Sequence, residues 1–269
     1  MRRRTLIQYG AALGTTAALS ACGGDDDVPA AQTRNFVLVH GAWHGRWAWD
    51  RVVPLLQAGG AKAHAMTLAG LADRAAGIST AINVDTHVAD VVSLIRERDL
   101  RNVVLVAHSY GGFPATGAIQ ALAGEGRIVT AIYLDAFLPT PGDRLFNYLD
   151  AAGQAQIQAD FNAGNPRWPK IPASFFGLET PADIAYVDSL LTDHPNGTYL
   201  QPLALTAPAA SAAKKRVYVS CTNPKLDVLD ATKARVRADT GWAYVEIAAG
   251  HDVMVSRPAE LAALLLAQG

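Results

Sequence analysis

Ser109 stands in Ala107-His108-Ser109-Tyr110-Gly111, behind the apolar run Val103-Val104-Leu105-Val106 and ahead of Gly112. A buried strand that breaks sharply into a helix at a serine presents its Oγ for nucleophilic attack, and small neighbours such as Ala107 and Gly111 permit the tight turn. The Tyr110 amide, at the start of that helix, can donate to a developing oxyanion. A serine hydroxyl needs a base. Of the seven histidines, His251 lies in Gly250-His251-Asp252, between the last strand-like run and the last helical one. From there a loop can carry an imidazole over the end of a sheet. His108 points away from the serine in such a turn and reads as packing. His64, His87 and His194 read as surface or core polar residues. After the first apolar run comes His40-Gly41-Ala42-Trp43-His44, where the Ala42 amide can be a second oxyanion donor and His40 can brace the loop. Together these residues point to acyl-transfer chemistry.

Positioning them requires strands that end on one edge. Runs at 36–39, 61–66, 103–107, 129–134, 216–220 and 242–247 read as strands. Helical patterns at 47–58, 85–98, 111–123, 228–238 and 258–268 alternate with them; Val88, Val91, Val92 and Ile95 keep a helical period. Alternation of this kind argues an α/β fold, a doubly wound and mostly parallel sheet. Residues 140–213 lose the rhythm and are rich in Pro, Ala and aromatic residues, so a largely helical cap is expected between the core segments 36–139 and 214–269.

Five stretches jointly resemble the α/β-hydrolase superfamily: FVLVHGAWHGRWAWDRVVPLL, TLAGLADRAAGISTAINVDTHVADVVSLI, LVAHSYGG, AIYLDAFLP and GHDVMVSRPAEL. The branch most similar contains plant methylesterases, hydroxynitrile lyases and bacterial pyrethroid-hydrolase-like esterases. The resemblance implies a serine carboxylesterase with Ser109 as nucleophile, His251 as base, and the Ala42 and Tyr110 amides as oxyanion hole. It breaks at the acid. Plant relatives carry an aspartate in a Cys-Thr-x-Asp run, where this chain reads Cys221-Thr222-Asn223-Pro224. Asp135, at the end of Tyr133-Leu134-Asp135, is the preferred replacement; Asp227 is the alternative. Either needs only to reach the far nitrogen of His251. Asp252, beside the histidine, faces away and reads as structural.

Adjacency nominates Trp43, Phe137, Leu138, Trp168, Phe176 and Met254 as pocket lining, an apolar surface for a small ester with an acyl or aromatic part. The S-selective lyases of this branch place a lysine after the histidine to hold cyanide. Asp252 occupies that position here, and its charge argues against a lyase. A tethered ligand-binding protein on a decayed hydrolase fold is the non-enzyme alternative.

Composition narrows the partners. The chain has 269 residues, half of them hydrophobic, which suffices for one large core without disulfide staples. With 23 basic against 24 acidic residues and no basic stripe, nucleic acid is excluded as a partner. No phosphate loop, dinucleotide fingerprint or metal cluster is legible, so no cofactor and no metal are expected. Residues 1–22 (MRRRTLIQYGAALGTTAALSAC) read as an export signal ending in a lipobox-like Leu19-Ser20-Ala21-Cys22. Lipidation of Cys22, with residues 23–35 as a tether, would anchor the chain on the periplasmic side of a bacterial envelope.

Overall fold

A computed structural model describes residues 33–269. The expected signal, the lipidation of Cys22 and most of the tether lie outside the described residues. Six strands form one parallel sheet: β1 (Asn35–Val39), β2 (Lys62–Ala65), β3 (Val103–His108), β4 (Ile128–Leu134), β7 (Lys215–Cys221) and β8 (Ala243–Ile247). Their order is β2-β1-β3-β4-β7-β8. A second, two-stranded antiparallel pair joins β5 (Arg167–Trp168) to β6 (His194–Pro195).

The period of two along each strand divides the core between two faces. Val37, Val39, Leu105, Ala107, Ala131 and Tyr133 face one apolar cluster. Phe36, Leu38, Val104, Val106, Ile132 and Leu134 face the other. All six residues of β3 are buried, as a strand covered on both sides requires. The covering helices are α1 (Val53–Ala58), α2 (Val84–Glu97), α3 (Gly112–Ala121), α7 (Asp230–Ala238), α8 (Val253–Ser256) and α9 (Pro258–Gln268). Asn83 starts α2 with a reciprocal capping box to Thr86.

The helix expected over 47–58 is split into a 3₁₀ turn, Arg46–Trp49, and α1. Pro54 lies in the first turn of α1; its missing N–H and its clash with the preceding backbone make the helix restart there. The irregular stretch 140–213 contains α4 (Ala151–Asn162), α5 (Pro181–Leu190), the short α6 (Gly197–Leu200) and the β5–β6 pair. Its apolar side chains Leu145, Ile157, Ala173, Phe176, Val187 and Tyr199 are buried in the same two clusters as the sheet.

Candidate active site

The carboxyl ends of β1, β3, β4, β7 and β8 converge on a cavity of about 370 Å³, where an open parallel sheet places its ligands. Its wall includes Ala42 and Trp43 after β1, Ser109 and Tyr110 after β3, Phe137 after β4, Leu226 and Val228 after β7, and His251 after β8. Leu145, Tyr148, Leu149, Ile171, Phe175, Phe176 and Tyr199, all from 140–213, close it. Two larger cavities, about 550 and 410 Å³, include neither Ser109 nor His251.

Ser109 sits in the left-handed region at φ 53°, as do Asp135 (φ 41°) and Trp43 (φ 63°). Non-glycine residues adopt this conformation only when their surroundings impose it. Around Ser109 the imposition is tight packing. A Cβ on Gly112 would stand 1.9 Å from the Phe137 carbonyl oxygen, and one on Gly111 2.8 Å from that of His40. The Phe137 N–H donates to the Ser109 carbonyl at 3.1 Å, tying the serine turn to the loop after β4.

That loop also carries Asp135, the preferred candidate for the acid. Asp135 is fully buried, and its Oδ2 accepts from His251 Nδ1 at 2.7 Å. Its Oδ1 accepts the Cys221 N–H at 3.1 Å and meets Lys233 Nζ at 2.7 Å. Burial works against the charged form, but the hydrogen bonds and charges of His251 and Lys233 prevail and hold the carboxyl below its usual range. The other candidate, Asp227, has a side chain that is 81% exposed and pairs with Lys225 at 3.0 Å.

Four of the other histidines are engaged in hydrogen bonds around this site. His40 donates from Nδ1 to the Gly41 carbonyl and accepts the Leu68 N–H at Nε2; burial pushes it down to about 3, so it is neutral. His194 accepts the Trp43 N–H at 3.3 Å. His87 accepts the Tyr110 hydroxyl at 2.8 Å and is lowered to about 4 by burial. His108 donates to the His251 carbonyl at 3.1 Å, with the two rings 4.5 Å apart.

His44 differs. It donates to the Ala42 carbonyl at 2.7 Å and to Asp252 Oδ2 at 3.0 Å, which makes it an imidazolium bracing the turn that carries Ala42. Burial lowers its affinity for the proton, but the Asp252 charge and hydrogen bond outweigh that and raise it above 6.5. Stability from this pair is therefore complete below the ordinary histidine value and lost as pH rises through the raised folded value. The urea midpoint should fall as pH rises above about 6.5, less steeply in Asp252→Asn. Parallel slopes in the two proteins would refute the pair.

Three of the nominated lining residues, Trp43, Phe137 and Phe176, are in the wall. Leu138, Trp168 and Met254 are not. Leu138 turns away from its neighbour Phe137 into the 410 Å³ cavity with Arg235 and Trp242. Trp168 packs behind Tyr199, centroids 6.1 Å apart. Met254, within α8, is fully buried in the core. In each case chain adjacency placed the residue nearby, while side-chain direction sent it elsewhere. Asp252 likewise is buried on His44 and absent from the wall. The wall contains no lysine or arginine among the described residues. His44 and Lys233 were given no role in the sequence, and of the two only His44, within His40-Gly41-Ala42-Trp43-His44, lay in a stretch already under suspicion.

A family model described as the alpha/beta hydrolase family matches residues 36–264. The chain belongs to this family. This α/β hydrolase is 35% identical over 249 residues to a carbendazim hydrolyzing esterase of Nocardioides sp. (strain SG-4G), covering 87% of this chain and 99% of that protein. It is 27% identical over 264 residues to salicylic acid-binding protein 2 of Nicotiana tabacum, covering 87% and 96%. Among solved structures, an extracellular alpha/beta-hydrolase from a Paenibacillus species superposes with a TM-score of 0.70 at 20% identity, over 87% of this chain and 98% of that one. That likeness speaks to the fold.

Proposed function

We propose that this protein hydrolyses carboxylic esters through an acyl-enzyme on Ser109. Membership of the family, and a 35% identical relative that is itself an esterase, make the chain an ester hydrolase. The finer mechanism rests on one observation: the His251 Nδ1 to Asp135 Oδ2 bond at 2.7 Å, in a histidine that shares a cavity wall with Ser109. With its far nitrogen so engaged, His251 presents Nε2 as the acceptor for the serine proton. Ser109 Oγ attacks the ester carbonyl, and the amides of Ala42 and Tyr110 receive the oxyanion. His251 returns the proton to the leaving alcohol, and water then cleaves the acyl-enzyme with the same base.

The wall sets the substrate class. Apart from Ser109 and His251 it is aromatic and aliphatic except for Asp150, which caps α4 by accepting the Gly153 N–H. Without a cation to pair with, a carboxylate-bearing substrate is disfavoured, and a neutral ester with an apolar acyl or aromatic group fits. Phe175 is 56% and Val228 38% exposed, so two apolar side chains of this wall reach the surface, where such a group can enter. The same lack of a cation speaks against cyanide chemistry. The decisive experiment is incubation with a p-nitrophenyl phosphonate. Release of one equivalent of nitrophenol, with the added mass on the Ser109 peptide, is expected. Labelling elsewhere, or none in a protein that turns over p-nitrophenyl acetate, would refute the acyl-enzyme.

A further inference from the structure

Asp135 has three partners, and only one is the histidine. Lys233 reaches it from α7 with a side chain just 10% exposed. Its Nζ lies 2.7 Å from Asp135 Oδ1 and 3.0 Å from the Cys221 carbonyl oxygen, so the ammonium is aimed by two acceptors. A buried ammonium needs a compensating charge, and a carboxylate is the strongest partner available. The route it takes is informative. Lys233 passes the end of β7, where Cys221-Thr222-Asn223-Pro224 offers no acid, and contacts the aspartate at the end of β4 instead.

We infer that Lys233 is a positioning residue of the reaction: its ammonium holds Oδ1 of Asp135, leaves Oδ2 to His251, and sets the net charge of that buried pair. This inference rests on the roles proposed above for Asp135 and His251. Two consequences follow. With Oδ1 fixed by the ammonium and the Cys221 N–H, the carboxylate cannot swivel, and the imidazole stays in one plane. The charges of Lys233 and Asp135 also cancel, so the proton His251 takes from Ser109 brings the only net charge to the group. Without the lysine, the carboxylate–imidazole pair would carry a negative charge at rest and bind a proton more readily.

Other titratable groups press on this pair from every side. From β7 come the Tyr218 hydroxyl, which donates to the Ala136 carbonyl, and the Cys221 thiol; burial pushes both well above their ordinary values. From β3 comes His108, lowered well below its ordinary value by burial and by neighbouring histidines. Beyond it lie Asp252 and His44, the ion pair described above. Of these, His44 is the one held above its ordinary value by its carboxylate partner. It is present in every variant below, so its contribution cancels in the comparison.

The test compares Lys233→Met, which keeps the apolar stem and removes the charge, with Lys233→Arg, and repeats Lys233→Met on an Asp135→Asn background. In the otherwise unchanged protein, Lys233→Met should lower kcat about tenfold with KM within about twofold, and move the acid limb of the kcat/KM profile upward by about one pH unit. Lys233→Arg should return the limb most of the way. On the Asp135→Asn background the same Lys233→Met change should alter kcat less than about twofold, because no carboxylate charge remains to be balanced and the Cys221 N–H still holds the amide oxygen. An unmoved acid limb, or an equal loss in both backgrounds, overturns the inference. If Lys233→Met fails to fold, Lys233→Gln takes its place in the same comparison: a raised acid limb supports the inference and an unmoved one overturns it. An inactive parent protein would instead sink the proposed function, so the two failures are distinguishable.

Discussion

Ser109→Ala should lower kcat for a p-nitrophenyl ester by roughly 10⁶-fold while leaving the fold intact, the size of loss seen when a triad nucleophile is removed. The reasoning is structural. Ser109 holds a left-handed backbone at φ 53° because Gly111 and Gly112 allow the His40 and Phe137 carbonyls to close around the turn. Alanine accepts that backbone about as well as serine does, so stability should change by less than about 0.5 kcal/mol. The cavity keeps its shape, since only one oxygen leaves its wall. A substrate analogue should still bind, and the amides of Ala42 and Tyr110 should sustain a residual rate above water. Thermal melts, analogue binding and single-turnover kinetics check each part. A Ser109→Ala protein with more than a tenth of the parental kcat would refute a nucleophilic serine.

Asp135→Asn should lower kcat by about 10⁴-fold, and Asp227→Asn should leave it unchanged. The asparagine would be turned by its neighbours. Lys233 and the Cys221 N–H are both donors and demand the amide oxygen, so the NH₂ is left facing His251 Nδ1. A donor there drives the imidazole proton to Nε2, the atom that must accept from Ser109. Asp227, 81% exposed on Lys225, has no such leverage. Steady-state kinetics of the two variants decides the matter. A collapse in Asp227→Asn with an active Asp135→Asn would reverse the assignment of the acid.

These two outcomes mark how far the chain could be read from its residues. Ser109 was legible because its signal is local: a buried run, a small residue, a serine and two glycines all fall within ten positions. The sheet was legible for the same reason, each strand being a short apolar run whose alternation sorts itself onto two faces. His251 was legible from its place between the last strand and the last helix. The break of the helix at 47–58 lay in plain sight at Pro54, but the apolar run on either side masked it.

Distance in the chain hid the rest. His251 and Asp135 are 116 positions apart; the broken Cys-Thr-x-Asp run favoured Asp135 over Asp227, but no spacing rule could show their contact. Lys233 and Asp135 belong to a helix and a strand end that meet only when the sheet assembles. His44 and Asp252, 208 positions apart, form an ion pair for the same reason. The pocket shows a second limit. Phe137 lines it and Leu138 does not, although they are adjacent, because the direction of a side chain outside regular structure depends on the packing around it. The sequence alone determined which strands build the main sheet, which serine ends one and which histidine follows another. Only the tertiary structure shows which carboxylate meets His251, which lysine meets that carboxylate and which aromatic faces line the cavity, because those contacts depend on the three-dimensional reach of buried side chains and not on local pattern.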